Sequence, residues 1–493
     1  MKYFFLFFYF YCLFFFFGLA QNKKEKKQEV NYNPNHTYSP AQLQSDFEMI
    51  RFVLENAHPS LDWYISKSKL QRKMDSTALL LNKNMTERAF YQVISPLIAA
   101  IHCGHTTLEP SYLYQSKGKR LPLDFIFRNG KAYIANNYTQ QQEIRIGVEV
   151  LSINARPMFE ILQKILPALS SDAINQQGKW ASLDDDFANY YDLLIEQPDT
   201  FSLTCQDVVT AEMIDYEVPA KDDDFLREYS KNYNEEIQKR KVLDFKILNE
   251  SKSCMMTINS FLPLDIKNSK QKFKKFLQQS FKTIQEQKIE NLIIDLRNNV
   301  GGELLYVNEL FSYVTDKNYK FVDDILVAND KNITQLQANG FTKNSVHHLK
   351  NIQKTDSGTF VVKESFYPFL KFQKPKKRNF KGKIYILISK KTFSAASFCA
   401  SLFYAYQRAT LIGEETSGGA NGLSAGGFIE IELPETNLQL EVPIERWSKH
   451  IADYPYKNRG IVPQYFFLPS LEDVFNQKDT TIDFVLTLIK NQK

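Results

Sequence analysis

Residues 383–413 restrict what this chain can fold into more than any other stretch. They read KIYILISKKTFSAASFCASLFYAYQRATLIG. Ile384 to Ile388 is an unbroken apolar run, the pattern of a strand buried on both faces. A short polar turn follows. A helical pattern opens at Thr392–Ser394 and runs to about Gln407, and Thr410 to Ile412 forms a second strand run. Strand, turn, helix, strand is a βαβ unit, which requires a parallel pair and a right-handed crossover. The turn puts Ser394 at the start of a helix, where outward-facing amides carry partial positive charge and suit a developing oxyanion. A serine there is ordinarily an N-cap. Its company argues for more. A second strand–turn–helix, LIIDLRNNVGGELLYVNELFSY from Leu292 to Tyr313, carries a glycine pair after its strand. Two such units in one sheet can set a hydroxyl opposite a glycine turn, the arrangement acyl transfer needs.

The remaining chain is long enough for several cores. At 493 residues two or three domains are expected. Residues 1–20 have Lys2, an apolar run, and Gly18-Leu19-Ala20, the pattern of a secretory signal peptide cut after Ala20. This implies a periplasmic or extracellular protein with no stable membrane insertion once the signal is removed. Residues 21–39 read as a charged linker. Residues 40–118 carry helical spacings, Leu43, Phe47, Ile50, Val53, Leu54 and again Phe90, Val93, Ile94, Leu97, Ile98, and are expected to form a helical cap domain. Residues 119–220 hold short strands split by turns and are expected to be a β-rich domain. Residues 221–493 alternate strands and helices, a mainly parallel α/β core, with a polar, lysine-rich insertion at 316–380 read as a surface excursion. The fold class is therefore α/β, in an α+β multidomain arrangement.

A net charge of +5, spread along the chain, does not imply nucleic acid. After signal removal Cys103, Cys205, Cys254 and Cys399 remain, too dispersed for a disulfide framework or a metal site. Neither a metal nor a cofactor is implied.

A serine nucleophile needs a base. Of seven histidines, His102 and His105 lie at the break between the cap and the β-rich domain. His105 follows Gly104 and can point into a cleft, whereas His102 is expected to face the helical core. The segment Gly422-Leu423-Ser424-Ala425-Gly426 matches the G-x-S-x-G elbow of α/β-hydrolases. It is preceded by a glycine loop and followed by a strand pattern, not by the helix that elbow requires.

The segments TFSAAS, DLRNNVGG and CGHT resemble those of the C-terminal processing (tail-specific) serine peptidases, and the Gly147–Pro157 stretch resembles the carboxylate-loop region of PDZ domains. Together the resemblance covers most of residues 85–465. It implies Ser394 as nucleophile, with Ala395 and the Gly301–Gly302 turn as oxyanion hole. It implies Asp295 and Arg297 as braces of the turn. Many members use a lysine in a loop after the nucleophile helix, and here Gly419 stands in its place. The histidine-using branch, similar to the tricorn core protease, fits His105 as general base. Its serine before the histidine is Gly104 here. Glu414 is the candidate to orient His105, with Glu445 and Asp453 behind it. A late G-I-x-P-D becomes GIVPQ, with Gln464 for the acid. The resemblance implies an exported serine peptidase that hydrolyses peptide bonds, with a PDZ-like module for the peptide end. A catalytically inactive peptide-binding homologue, or an esterase using Ser424, are the alternatives.

Overall fold

The computed structural model describes residues 32–222, 225–226, 241–248, 252–328 and 351–491. The expected signal peptide, part of the expected linker, residues 223–224, 227–240 and 249–251 of the expected α/β core, and part of the insertion lie outside them.

The centre is a six-stranded sheet in chain order: β1 (Leu243–Leu248), β2 (Ser253–Ile258), β3 (Asn291–Asp295), β4 (Lys383–Ile388), β5 (Thr410–Gly413) and β6 (Tyr465–Phe466). β1 runs antiparallel to β2, and every later pairing is parallel. Alternate residues face opposite layers. Cys254, Met256, Leu292, Ile294, Ile384 and Ile386 join the main core. There they meet helices α5 (Phe273–Glu286), α6 (Leu304–Ser312) and α7 (Ser394–Ala405). Met255, Ile293, Tyr385, Leu387 and Ile412 pack on the other face against Val485 and Ile489 of the C-terminal helix, Thr480–Asn491. Both faces are covered, which is why the strands read as unbroken apolar runs.

The N-terminal helices α1 (Pro40–Ala57), α2 (Lys67–Leu80) and α3 (Glu87–Ala99) form as the periodicity predicts. α1 starts with a capping box, Ser39 with Gln42, and Pro40 at its first position. It docks through the buried Asp46, whose carboxylate accepts from the Glu435 and Thr436 amides at 3.0 and 2.8 Å and from Thr436 Oγ1 at 2.6 Å.

An antiparallel sheet follows, with strands in the order Met213–Pro219, Thr200–Gln206, Glu149–Ile153, Lys131–Asn137, Leu123–Arg128. It is not wholly β. Residues Gln177–Leu194 form an 18-residue helix, α4, that the sequence reading left inside a run of strands. Leu183, Phe187, Tyr191 and Leu194 recur at helical spacing, but the DDD run hid the period. α4 packs Phe187 on Phe125 and Phe127 and kinks at Asp186.

A third sheet corrects the expectation for 316–380. Asp324–Val327 pairs with Gln439–Ser448, and Phe360–Val362 extends that edge. Tyr319, Phe321, Val322 and Ile325 are fully buried. Four of the lysines that suggested a surface excursion stand close together at 371, 374, 376 and 377, whereas the strand Asp324–Val327 buries alternate residues, Ile325 and Val327. The hairpin Gly422–Glu432 with Gln439–Ser448 completes the sheet, and Thr107–Glu109 adds to it opposite Gln439–Glu441.

The turn after β3 is braced as expected. Arg297 donates to Asp295 from Nε at 2.9 Å and Nη2 at 2.7 Å, and to Asp479, at the head of the C-terminal helix, at 2.8 and 2.7 Å. Asp295 is buried, so removing its partner strands a charge. Arg297→Ala is expected to cost about 3 kcal/mol in chemical denaturation, and Asp479→Ala, at the more exposed end, clearly less. Equal losses would contradict the assignment of the buried end as the one that matters.

Candidate active site

The site lies at the carboxyl ends of β3 and β4, where open parallel sheets present their crevices. Each strand hands over to a turn, and the two turns are tied to one another. Leu296 N donates to Leu387 O at 2.9 Å. Thr392 Oγ1 donates to Leu296 O at 3.0 Å and accepts from Ser389 N at 2.9 Å. Phe393 N donates to Asn299 O at 3.2 Å. From outside, Lys390 Nζ pairs with Asp184 at 2.6 Å and donates to Phe127 O at 3.0 Å, while Lys391 pairs with Asp185. The Ser394 turn is thus gripped by the kink of α4.

Phe393 is the N-cap of α7, and Ser394 is its first residue, with φ of +49°. A non-glycine residue there is strained and persists only when its surroundings fix it. Gly301 makes this possible. A Cβ on Gly301 would stand 2.5 Å from Ser394 Cβ, so no larger residue fits. Gly301 and Gly302 have φ of +113° and +128°, values that favour glycine. Asn299 shapes the turn, donating from Nδ2 to Ile258 O at 3.0 Å and accepting the Gly301 amide on Oδ1 at 2.8 Å. The Gly301 amide is therefore already engaged. What Gly301 gives the site is room beside Ser394.

His105 Nε2 lies 3.0 Å from Ser394 Oγ. Residues 289 positions apart in the chain are brought into hydrogen-bond reach. The ring stacks on Phe393 at 4.6 Å between centroids and leans toward Phe428 at 6.2 Å. Burial holds its pKa below the ordinary histidine value, and the nearby Asp172 charge pulls the other way. Nδ1 is buried and has no hydrogen-bond partner among the described residues. His102 is half-buried, with φ of +59°, and its carbonyl accepts from Ala173 N at 3.1 Å.

Several expectations are corrected here. Glu414 does not orient His105. It is half-buried, with Lys390, Arg128 and Asp184 as its charged neighbours, and desolvation raises its pKa. Glu445 is spoken for by Trp447 Nε1 at 2.8 Å. Gly104 is required for space, not for an unusual backbone angle. A Cβ there would meet Phe393 Cζ at 2.8 Å, which explains why a serine does not precede the histidine. Gln464, which stands in place of the family's acid, takes the Leu411 amide on Oε1 at 2.7 Å. Ser424 lies inside a strand opposite Arg446 and is buried, so the strand-to-helix elbow of an esterase does not exist. At Gly419, where many members of the family carry lysine, a Cβ would meet Tyr64 Oη at 2.7 Å.

Sequence reasoning missed the segment that joins these parts. Asp172 Oδ1 accepts the Gly104 amide at 2.6 Å, and Oδ2 faces the Gly419 amide at 3.4 Å. Ser170 Oγ donates to Thr106 O at 2.9 Å, and Asn175 Nδ2 donates to Ser417 O at 3.2 Å. The only signal in the sequence was a run of turn-forming polar residues, SSDAINQQG, just before a helix.

Residues 252–466 match the model of peptidase family S41. Solved structures with a similar fold include a point mutant of CPAF and mature CPAF complexed with lactacystin, each with a TM-score of 0.67. They are 14% and 15% identical to this chain, cover 92% of it, and are themselves covered to 97% and 99%. That family match falls on the sheet that carries both turns, and it supports a serine peptidase of the C-terminal processing, S41 kind.

Proposed function

We propose that the peptidase works through a Ser394–His105 pair, in the histidine-using branch of the family. The observation that carries this reading is the 3.0 Å approach of Nε2 to Oγ at the strained start of α7. His105 takes the Ser394 proton as Oγ attacks a peptide carbonyl. The oxyanion rests on the Gly302 and Ala395 amides. His105 returns the proton to the leaving amine, and water, activated the same way, releases the acyl group. Substrates are peptides or proteins. The antiparallel sheet with its Gly147–Pro157 turns is proposed as a PDZ-like module for an extended peptide end, read from its likeness to the PDZ carboxylate loop.

The N-terminal twenty residues support export to a periplasmic or extracellular location, and among the described residues no helix is long and apolar enough to cross a membrane. The unpartnered Nδ1 favours a second reading, a peptide-binding homologue that retains the fold without turnover.

Ser394→Ala is expected to abolish cleavage of dye-labelled casein while leaving the melting transition in place; retained cleavage would refute the nucleophile. His105→Ala should lower the rate by roughly 10²- to 10⁴-fold, and His102→Ala should act mainly on stability. The reverse pattern would move the base to His102. Burial lowers the His105 pKa, and a general base works only when neutral. Activity should therefore persist below the ordinary histidine range, with the acid limb of kcat/KM beneath about pH 6.5. A limb above pH 7 would contradict the buried base.

A further inference from the structure

We propose that Asp172 is the positioning residue of the Ser394–His105 pair. Its carboxylate fixes the histidine turn through the Gly104 amide and sets a negative charge opposite the imidazolium that Nδ1 leaves without a direct partner. The inference rests on the Ser394–His105 reading and deepens it.

For Nε2 to accept the Ser394 proton, the ring's resting proton must sit on Nδ1. In the familiar triad a carboxylate receives that proton, fixes the tautomer and balances the imidazolium. Here Nδ1 is buried and bonded to nothing among the described residues. A buried cation formed in such a place is costly unless an anion is near. The groups around His105 can be taken element by element. Its own turn offers Cys103, buried, with its thiol pushed up to about 11 and so neutral. The nucleophile helix offers Ser394 and Phe393, and the Gly422–Glu432 strand offers Phe428. The loop before α4 offers Asp172, and its charge is the one that acts on the ring.

Asp172 is also placed to hold the ring. It is 4% exposed. Its Oδ1 accepts the Gly104 amide at 2.6 Å, one residue before His105, and Oδ2 faces the Gly419 amide in the loop where other members carry lysine. One carboxylate thereby links the histidine turn and the loop beside α7. Its neighbours reinforce the clamp, because Ala173 N donates to His102 O at 3.1 Å and Ser170 Oγ to Thr106 O at 2.9 Å. A bare brace would need neither burial nor charge. A carboxylate acting through the backbone supplies both orientation and counter-charge, while its own oxygens stay on amides and do not compete for Nδ1.

The test compares Asp172→Asn with Asn175→Ala in the full chain, using dye-labelled casein across pH. Asn175 anchors the same loop to the Ser417 carbonyl but carries no charge. Asp172→Asn should lower kcat by about 10- to 100-fold with a smaller change in KM, and should move the acid limb to lower pH, since removing a negative charge makes His105 harder to protonate. Asn175→Ala should lower the melting temperature without moving the limb. If the asparagine variant does not fold, Asp172→Glu keeps the charge on a longer arm, and should lower kcat with the limb in place. An unchanged rate and limb in Asp172→Asn, or a lost rate with an unmoved limb, would overturn the inference. So would a limb displaced in Asp172→Glu. Ser394→Ala and His105→Ala measured alongside separate the two failures. If they remain active, the pair itself is wrong; if they are dead while Asp172→Asn is normal, only the role of Asp172 falls.

Discussion

The contact between Gly301 and Ser394 is the constraint on which the site depends. Ser394 sits in a backbone conformation that costs of order 1–3 kcal/mol for a residue with a side chain. That conformation turns the hydroxyl out of the helix it begins. It is tolerated because the residue facing it has no side chain. Gly301 is in turn held in place by Asn299, which takes its amide and reaches back to β2. The strain is local, and it is offset by a network that spans β2, β3 and β4. The buried Thr392 and the Arg297–Asp295 brace belong to that network. The hydroxyl and the glycine turn are one rigid unit.

His105 reaches this unit by a different route. The strand Thr107–Glu109 adds to the hairpin that follows the glycine loop, which fixes the chain just after the histidine. The loop before α4 fixes the chain just before it. Phe393 and Phe428 then set the ring between them. The dependence of His105 on two distant segments explains the helix α4. Its N-terminal loop grips the histidine turn, while Asp184 and Asp185 at its kink grip the lysines of the nucleophile turn. One helix and its leading loop tie the His105 turn to the Ser394 turn.

The sheet and the two residues that meet at its edge, Ser394 and His105, were legible in the sequence because each is written locally. Unbroken apolar runs mark β3 and β4, and Ser394 and the glycine pair follow them directly. His105 was legible by elimination and by its CGHT segment. The partners were not. Glu414 was a reasonable guess from its place beside the glycine loop, but burial with Lys390 and Arg128 directs it elsewhere. Asp172 has no motif; it is recognisable only once the fold brings residues 104, 172 and 419 together. Residues 319–327 were misplaced because the lysines around them outweighed a short strand pattern that only its partner, Gln439–Ser448, makes stable. Gly419 offers no proton acceptor, and the approach of Tyr64 Oη to within 2.7 Å of where its Cβ would stand is a tertiary fact that no motif carries.

Reaction of the intact protein with a fluorophosphonate, followed by mass mapping of the labelled peptide, tests the central claim most directly, because only an activated serine reacts. The account predicts one adduct, on Ser394, that disappears when Gly301 is replaced by alanine and the hydroxyl loses its place. An unlabelled protein, or an adduct on Ser424, would contradict it.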